Sequence, residues 1–134
     1  KQLPHSAPCE KVLRYLYEPN ASILKAGAYK SVAEKYGVDK LQTNSHLYTS
    51  DTYISDFPGR KFEVIEAFDF NAKTIKSVGK QYPSLNLSTR NFPMTAVELQ
   101  KRLKCKDGGD FYLFATTLAD NRRTLIITRK APIV

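Results

Sequence analysis

From Phe62 to Arg129 the chain alternates between the two-residue hydrophobic period of strands and the longer period of helices, in the order β-α-β-α-β-β. Helices in such an order bury one apolar stripe against a mixed sheet, which predicts a two-layer α+β sandwich. The predicted strands lie at residues 62–70, 85–89, 111–118 and 123–129, and the predicted helices at 71–82 and 95–104. Because the strand at 111–118 is apolar on both sides, we expect it to lie inside the sheet.

Local motifs mark the ends of these segments. Thr95 and Glu98 form a T-x-x-E capping box at the start of the second helix. Asn71 is the expected N-cap of the first helix, because a short polar side chain at this position accepts a hydrogen bond from a free backbone amide. Asp120-Asn121 is expected to join the last two strands as a two-residue hairpin turn, since both residues tolerate a positive φ.

The first 58 residues predict a smaller β-α-β module that packs on the second half. We expect a strand at 12–17 that ends at Glu18-Pro19-Asn20, a helix at 21–36 followed by Gly37 as a left-handed cap, and a short strand at 46–49. Asp56-Phe57-Pro58-Gly59 is a predicted turn. We place the domain boundary there, which gives domains 1–58 and 59–134.

The charge distribution gives the first indication of function. The chain has a net charge of +8, from 21 basic and 13 acidic residues. Residues 1–58 contribute 7 basic and 6 acidic residues, so the remaining 14 basic and 7 acidic residues give residues 59–134 a net charge of +7. A basic half favours an anionic partner, with nucleic acid first and a membrane surface second. The alternative is a charge that only keeps the protein in solution.

The basic residues of the second half are the candidate RNA-binding residues. Lys73, Lys76 and Lys80 recur on one side of the first helix, and we expect them to contact successive phosphates. The end of the second helix carries a further group, and if both helices cover one sheet face the two groups form one positive surface. The alternative is an ordinary solvated helix face. The further candidates are Arg90, Lys101, Arg102, Lys104, Arg122, Arg123 and Arg129.

Catalysis and metal binding have little support in the sequence. No glycine-rich phosphate loop is present, and neither His5 nor His46 lies in a known catalytic pattern with a cysteine. Asp107-Gly108-Gly109-Asp110 offers too few oxygen ligands for calcium and is predicted to be a loop. Glu18 has no partner carboxylate at a suitable spacing, so a cap or a buried ion pair is the favoured interpretation. We expect a non-catalytic chain without a metal site.

The remaining composition bears on cellular context. The two cysteines lie far apart and do not have metal-ligand spacing, which favours a reduced, cytoplasmic protein. No run of residues is long and apolar enough for a membrane span, so we expect no membrane insertion. The chain begins at Lys1 and its only methionine is Met94, which suggests a fragment or a processed product.

Several sequence blocks resemble the C-terminal region of a bacterial family of class I methyltransferase-like proteins that use S-adenosylmethionine. The most specific block is residues 15–20, Tyr-Leu-Tyr-Glu-Pro-Asn, followed by residues 23–27, Ile-Leu-Lys-Ala-Gly. Weaker blocks follow in the same order as in the family, at residues 47–51, 62–64, 87–93, 99–103 and 112–116. The resemblance implies a ferredoxin-like module followed by a THUMP-like domain, without the methyl-donor domain.

The resemblance also implies a role. THUMP domains are associated with RNA, so this chain is expected to be an accessory region that recognises or positions tRNA or rRNA for a methyltransferase parent. The cofactor S-adenosylmethionine would be bound by the parent, and no catalytic residue is carried over. One alternative is a structural module that supports the catalytic domain or forms a dimer. The other is a contribution to the parent's substrate pocket or domain interface from Tyr15, Tyr17, Glu18 and Asn20.

Overall fold

A computed structural model describes residues 12–22, 29–41, 46–118 and 121–131. Its strands form one seven-stranded sheet in the order β2-β3-β1-β4-β7-β6-β5. The strands are β1 (Tyr15–Pro19), β2 (Asp39–Lys40), β3 (Tyr48–Ser50), β4 (Gly59–Asp69), β5 (Ser84–Arg90), β6 (Lys106–Thr117) and β7 (Arg123–Lys130). The helices are α1 (Tyr29–Tyr36), α2 (Ala72–Gln81) and α3 (Ala96–Leu103).

The order predicted for the second half is confirmed, as β4-α2-β5-α3-β6-β7. Asn71 and Thr95 cap α2 and α3 through complete capping boxes. The strand predicted to lie inside the sheet does so, because β6 pairs in parallel with β5 and antiparallel with β7. Asn121 has the positive φ of 67° that the hairpin requires, whereas Asp120 lies outside the described residues.

The first half does not pack on the second as a separate layer but extends the same sheet. β1 pairs with β3 on one side and with β4 on the other. Glu18 and Pro19, expected to end the strand, lie within β1 because their backbones pair with Arg60 and Gly59 of β4. The short strand lies at Tyr48–Ser50 and not at 46–49, and it pairs with a two-residue strand that was not predicted.

The helix predicted at 21–36 is only partly described. Residues 21 and 22 and Tyr29–Tyr36 are helical, and residues 23–28 lie outside the described residues. Gly37 has a φ of 65° directly after α1, as expected for a left-handed cap. None of the helices in the described residues is long and apolar enough to span a membrane.

The segment from Asp107 to Asp110, predicted as a loop, belongs to β6. Its pairing with β5 jumps from Leu85↔Asp107 to Asn86↔Tyr112, so the chain bulges between the two positions. Gly108 and Gly109 have φ values of 109° and 90°, which glycine adopts readily. Glycines therefore allow an irregular strand here and do not end the element.

The two faces of the sheet carry different cores. α2 and α3 pack on Leu113, Leu125 and Ile127, whereas Leu16, Phe62, Phe114 and Ile126 form a cluster on the opposite face with Leu41 and Leu47. Tyr17 projects away from Leu16 because side chains alternate along a strand, and it packs against Val32 and Ala33 of α1. All three described helices therefore cover the same face, as a two-layer fold requires.

The sheet is strongly curved. Three strands separate β1 from β5, so a flat sheet would hold them about 19 Å apart. Nevertheless the guanidinium of Arg90, at the end of β5, contacts the carboxylate of Glu18 on β1. The rings of Phe62 and Phe114, two strands apart, also approach to 5.0 Å on this face. The sheet therefore curls around the face that the described helices leave uncovered.

Candidate nucleic-acid interface

The lysines of α2 are exposed because its apolar residues face the sheet. Ile75 and Val78 are buried, while Lys73, Lys76 and Lys80 are all exposed. Residues three and four positions apart lie on one side of a helix, so Lys76 and Lys80 are neighbours on its surface. The helical period that buries one side of α2 therefore also gathers its positive charges on the other.

The second basic group lies at the end of α3. Leu99 and Leu103 are buried against the sheet, while Lys101, Arg102 and Lys104 are exposed. Lys104 caps the helix with a φ of 58° and donates its backbone N–H to the carbonyl of Gln100. This left-handed residue ends α3 and carries a positive charge at its C-terminus, where the helix dipole favours a cation.

Gly79 brings the two helices together. A Cβ atom at this position would lie 2.3 Å from the carbonyl oxygen of Leu103, a distance that no real side chain accommodates. Glycine therefore permits the backbone of α2 to contact the end of α3 directly. The sequence prediction did not include Gly79, although a glycine inside a helical pattern is a recognised sign of close backbone approach.

A groove of about 450 Å³ runs between the two helices. Lys76 and Lys80 line it from α2, and Arg102 and Lys104 line it from the end of α3. Its other lining residues are Ala72, Ile75, Gly79 and Leu103, so its floor is apolar. The two basic groups predicted from the sequence therefore meet, while Lys73 and Lys101 are exposed on the same helices without lining the groove.

An aromatic pair lies beside Arg102. The rings of Phe70 and Phe92 meet edge to face at 4.9 Å and pack against the core beneath α2 and α3. The guanidinium of Arg102 lies 6.0 Å from the centroid of the Phe70 ring, within the range of a cation–π contact. The contact holds Arg102 beside the groove and occupies one face of Phe70.

Arg90, another predicted RNA contact, lies in an ion-pair network away from the groove lining. The Glu18 carboxylate accepts a hydrogen bond from Arg60 Nε at 2.6 Å and pairs with Arg90 through its second oxygen. The side chain of Glu18 is only 13% exposed. Glu18 therefore forms ion pairs, as one of its two favoured interpretations expected, and both of its arginine partners lie in the second half of the chain.

The remaining predicted arginines are exposed, and two of them lie beside acidic residues. Arg129 donates from Nε to Glu63 Oε1 at 3.0 Å, and Arg122 lies 4.0 Å from an Asp69 carboxylate oxygen. Arg123 is exposed at the start of β7. None of the three is among the residues that line the α2–α3 groove.

The four residues proposed to contact a catalytic domain differ in how far they are exposed to solvent. Tyr17 is fully buried, and its hydroxyl hydrogen-bonds with Ser50 at 2.8 Å. Burial raises the pKa of Tyr17, so the ring is held as a neutral structural group. Tyr15 is half-buried against the ring of Tyr53, and Asn20 is exposed and donates its backbone N–H to Pro58.

A second, larger cleft of about 740 Å³ lies beyond the end of α2, between β4 and the bulge of β6. Tyr82 lines it, is buried, and donates its hydroxyl to Glu66 at 2.8 Å. Burial and the Glu66 carboxylate raise the pKa of Tyr82 to about 12. The Glu63–Arg129 ion pair and Asp110 also line the cleft, so it carries both signs of charge, unlike the α2–α3 groove.

Among the described residues, the side chains that could bind a metal are dispersed. No group of three or more His, Cys, Asp and Glu side chains suited to a metal occurs among the residues that the structure describes. Cys105 is a buried free thiol, and burial raises its pKa, which keeps it protonated. Burial lowers the pKa of His46, with Lys40 and Arg90 adding to the effect, so its imidazole is neutral.

Comparisons with known proteins agree with this architecture. A family model for a ferredoxin-like domain matches residues 15–58, and a model described as THUMP domain-like matches residues 59–130. The predicted α+β class, with a ferredoxin-like segment before a THUMP-like one, is therefore confirmed. A search of curated proteins found no match.

One solved structure is similar over nearly the whole chain. It is described as a "putative methyltransferase from Porphyromonas gingivalis W83" and is 43% identical, with a TM-score of 0.90. The match covers 95% of this chain and 32% of that protein, so this chain spans about a third of its neighbour's length. The predicted resemblance to methyltransferase-like proteins is thereby confirmed.

Proposed function

This chain belongs to the THUMP domain-like family, and we propose that it is the accessory region that recognises and positions RNA for a cytoplasmic, S-adenosylmethionine-dependent methyltransferase. The observation that carries the proposal is the α2–α3 groove, where four cationic side chains surround an apolar floor without any acidic residue in the lining. The RNA that we propose is tRNA or rRNA. The similarity to a methyltransferase structure supports the proposed parent activity.

Phosphate recognition explains why the cations are grouped in this way. Each phosphate neutralised by a Lys or Arg releases counterions, so several adjacent cations add up to useful affinity. Lys76 and Lys80 lie one turn apart on α2, and Arg102 and Lys104 face them from α3. A strand lying in the groove would thus be contacted from both sides.

The favourable interaction of cations with helix ends explains only some of the four cations that line the groove. A cation at the end of a helix stabilises it through the dipole, and Lys80, Arg102 and Lys104 are at such positions. Lys76 lies in the middle of α2, where this effect does not apply. The inclusion of Lys76 in the groove lining therefore favours a binding role over a purely structural one.

S-adenosylmethionine is assigned in this proposal to another domain of the parent. A cofactor that binds at a helix N-terminus needs free backbone amides there. In α2, the Asn71 side chain accepts from one of these amides, that of Thr74. In α3, the Thr95 side chain likewise accepts from the amide of Glu98. We therefore assign the cofactor to the parent's methyltransferase domain and to none of the described residues.

Binding of the full chain to bulk tRNA, followed by fluorescence anisotropy at one low salt concentration, tests the proposal. The groove variant Lys76→Gln/Lys80→Gln should weaken binding by about tenfold, since each lost phosphate contact costs part of the affinity. The matched control Lys35→Gln/Lys130→Gln removes the same charge from exposed sites on α1 and β7 and should bind nearly as the native chain does. Equal losses in both variants would favour the alternative, a structural module whose charge binds RNA non-specifically.

A further inference from the structure

We infer that the α2–α3 groove contacts only the phosphate backbone, so that it distinguishes neither base sequence nor RNA from DNA. The inference rests on the proposed RNA-binding function and narrows it to one class of contact. Phosphate contacts fix position and add affinity, whereas sequence is recognised at base edges. Recognition of a particular RNA would then lie outside this groove.

The groove offers donors but no side-chain acceptors. Its polar side chains are three lysines and one arginine, and ammonium and guanidinium groups only donate hydrogen bonds. The amino groups of adenine and cytosine and the 2′-hydroxyl proton of ribose each need an acceptor. Among the lining side chains, all of them in the described part of the chain, none is a carboxylate, an amide or a hydroxyl.

Two backbone carbonyls near the groove face other groups of this chain. The carbonyl oxygen of Leu103 is covered by Gly79, and the carbonyl of Gln100 accepts the backbone N–H of Lys104. The side-chain amide of Gln100 donates to the carbonyl of Cys105 at 3.3 Å, which directs that side chain to the end of its own helix. The helix ends beside the groove are therefore poor sites for recognising a sugar hydroxyl.

The aromatic rings near the groove are also poorly placed to stack on bases. Sequence-tolerant recognition of single strands uses the exposed face of an aromatic ring. Phe70 and Phe92 are the aromatic rings next to Arg102, but they pack edge to face on each other and against the core. Arg102 lies over Phe70 as well. Phosphates are thus the part of a nucleic acid that the groove can bind.

The test measures how much affinity the groove contributes to different oligonucleotides. Labelled strands of about 12 nucleotides suit a small single-strand-binding surface, and the set comprises oligo(rA), oligo(rU), oligo(dT) and alternating r(GU). The alternating strand is included because arginine can bind guanine in bidentate fashion. Each strand is titrated against the full native chain, the variant Lys76→Gln/Lys80→Gln and the single variant Arg102→Lys, with far-UV circular dichroism as a folding check.

We expect the double variant to weaken binding of all four strands by the same factor, within about twofold, and Arg102→Lys to change no preference. The inference is overturned if the double variant weakens RNA at least about tenfold more than oligo(dT), or if Arg102→Lys removes a preference for r(GU). A preference that survives both variants belongs to another surface and supports the inference. If the native chain binds no strand and no tRNA even at low salt, the proposed function itself fails.

Discussion

At the residue scale, Thr95 caps α3 and also lowers the pKa of Glu98. Its hydroxyl accepts from the backbone N–H of Glu98 at 3.1 Å, and the Glu98 carboxylate accepts from the N–H of Thr95 at 2.8 Å. The hydrogen bond from the Thr95 backbone lowers the pKa of Glu98, so the ionised form is favoured in the folded protein. This contribution to stability is present above the ordinary pKa of glutamate and is lost as the pH falls below it.

We expect Thr95→Ala to lower the free energy of unfolding by about 0.5–2 kcal/mol, the usual cost of an N-cap hydroxyl. Urea unfolding followed by circular dichroism measures the change. Thr52→Ala, at an exposed residue between β3 and β4, is the matched control and should have little effect. An unchanged midpoint for Thr95→Ala would show that the hydroxyl does not cap α3.

Tyr82 gives the chain an alkaline pH dependence. Its pKa rises from 10.0 to about 12 because the ring is buried and its hydroxyl faces Glu66. An acid whose pKa is raised on folding adds stability below its unfolded pKa and loses it as the pH rises through the folded value. We therefore expect stability to fall between pH 10 and about 12.

The variant Tyr82→Phe should show a flatter decline over this pH range, because no hydroxyl remains to ionise. Urea midpoints measured at closely spaced pH values give the comparison. Tyr53→Phe removes a half-buried tyrosine hydroxyl elsewhere and is the matched control. Parallel curves for Tyr82→Phe and the native chain would contradict the assignment.

At the element scale, the contact between α2 and α3 determines the groove. We expect Gly79→Ala to destabilise the chain by about 1 kcal/mol or more, even though alanine favours an isolated helix by roughly 0.5–1 kcal/mol over glycine. The added methyl would lie 2.3 Å from the Leu103 carbonyl and would force the helices apart. Ser77→Ala, at an exposed position of α2, is the control; a stabilised Gly79→Ala protein would contradict the close contact.

The elements that the sequence predicted are those with local causes. The caps at Asn71 and Thr95 and the turn at Gly37 depend on a few neighbouring residues, so their patterns identify them. The irregular start of β6 was missed because Gly108 and Gly109 are typical of loops, and only pairing with the distant strand β5 makes them part of a strand. The same holds for Pro19, which the pairing with Gly59 retains in β1.

In the candidate site too, the sequence predicted the features that depend on neighbouring residues and missed those that depend on distant ones. Helical spacing placed Lys76 and Lys80 on one side of α2, but only the fold brings Arg102 and Lys104 opposite them. The partners of Arg90 and Arg129 are acidic residues on other strands, which no local pattern reveals. A count of basic residues therefore cannot separate cations that line the groove from cations held in ion pairs.

At the scale of the whole molecule, Glu18 links the two family-matched segments. It lies in residues 15–58 and binds Arg60 and Arg90 of residues 59–130. We expect Glu18→Gln to cost about 1–2 kcal/mol, because it leaves two partly exposed arginines without their anion. Glu63→Gln breaks a more exposed pair with Arg129 and should cost less than about 1 kcal/mol. Equal midpoints for both variants in thermal unfolding would contradict this difference.

The salt dependence of tRNA binding tests the proposed RNA-binding role of the groove most directly. The logarithm of the association constant is plotted against the logarithm of salt concentration for the native chain, the groove variant Lys76→Gln/Lys80→Gln and the control Lys35→Gln/Lys130→Gln. Two lost phosphate contacts should flatten the slope of the groove variant by about 1.4–1.8, while the control keeps a slope close to the native one. A groove variant with the native slope would contradict the claim that α2 and α3 hold the RNA backbone.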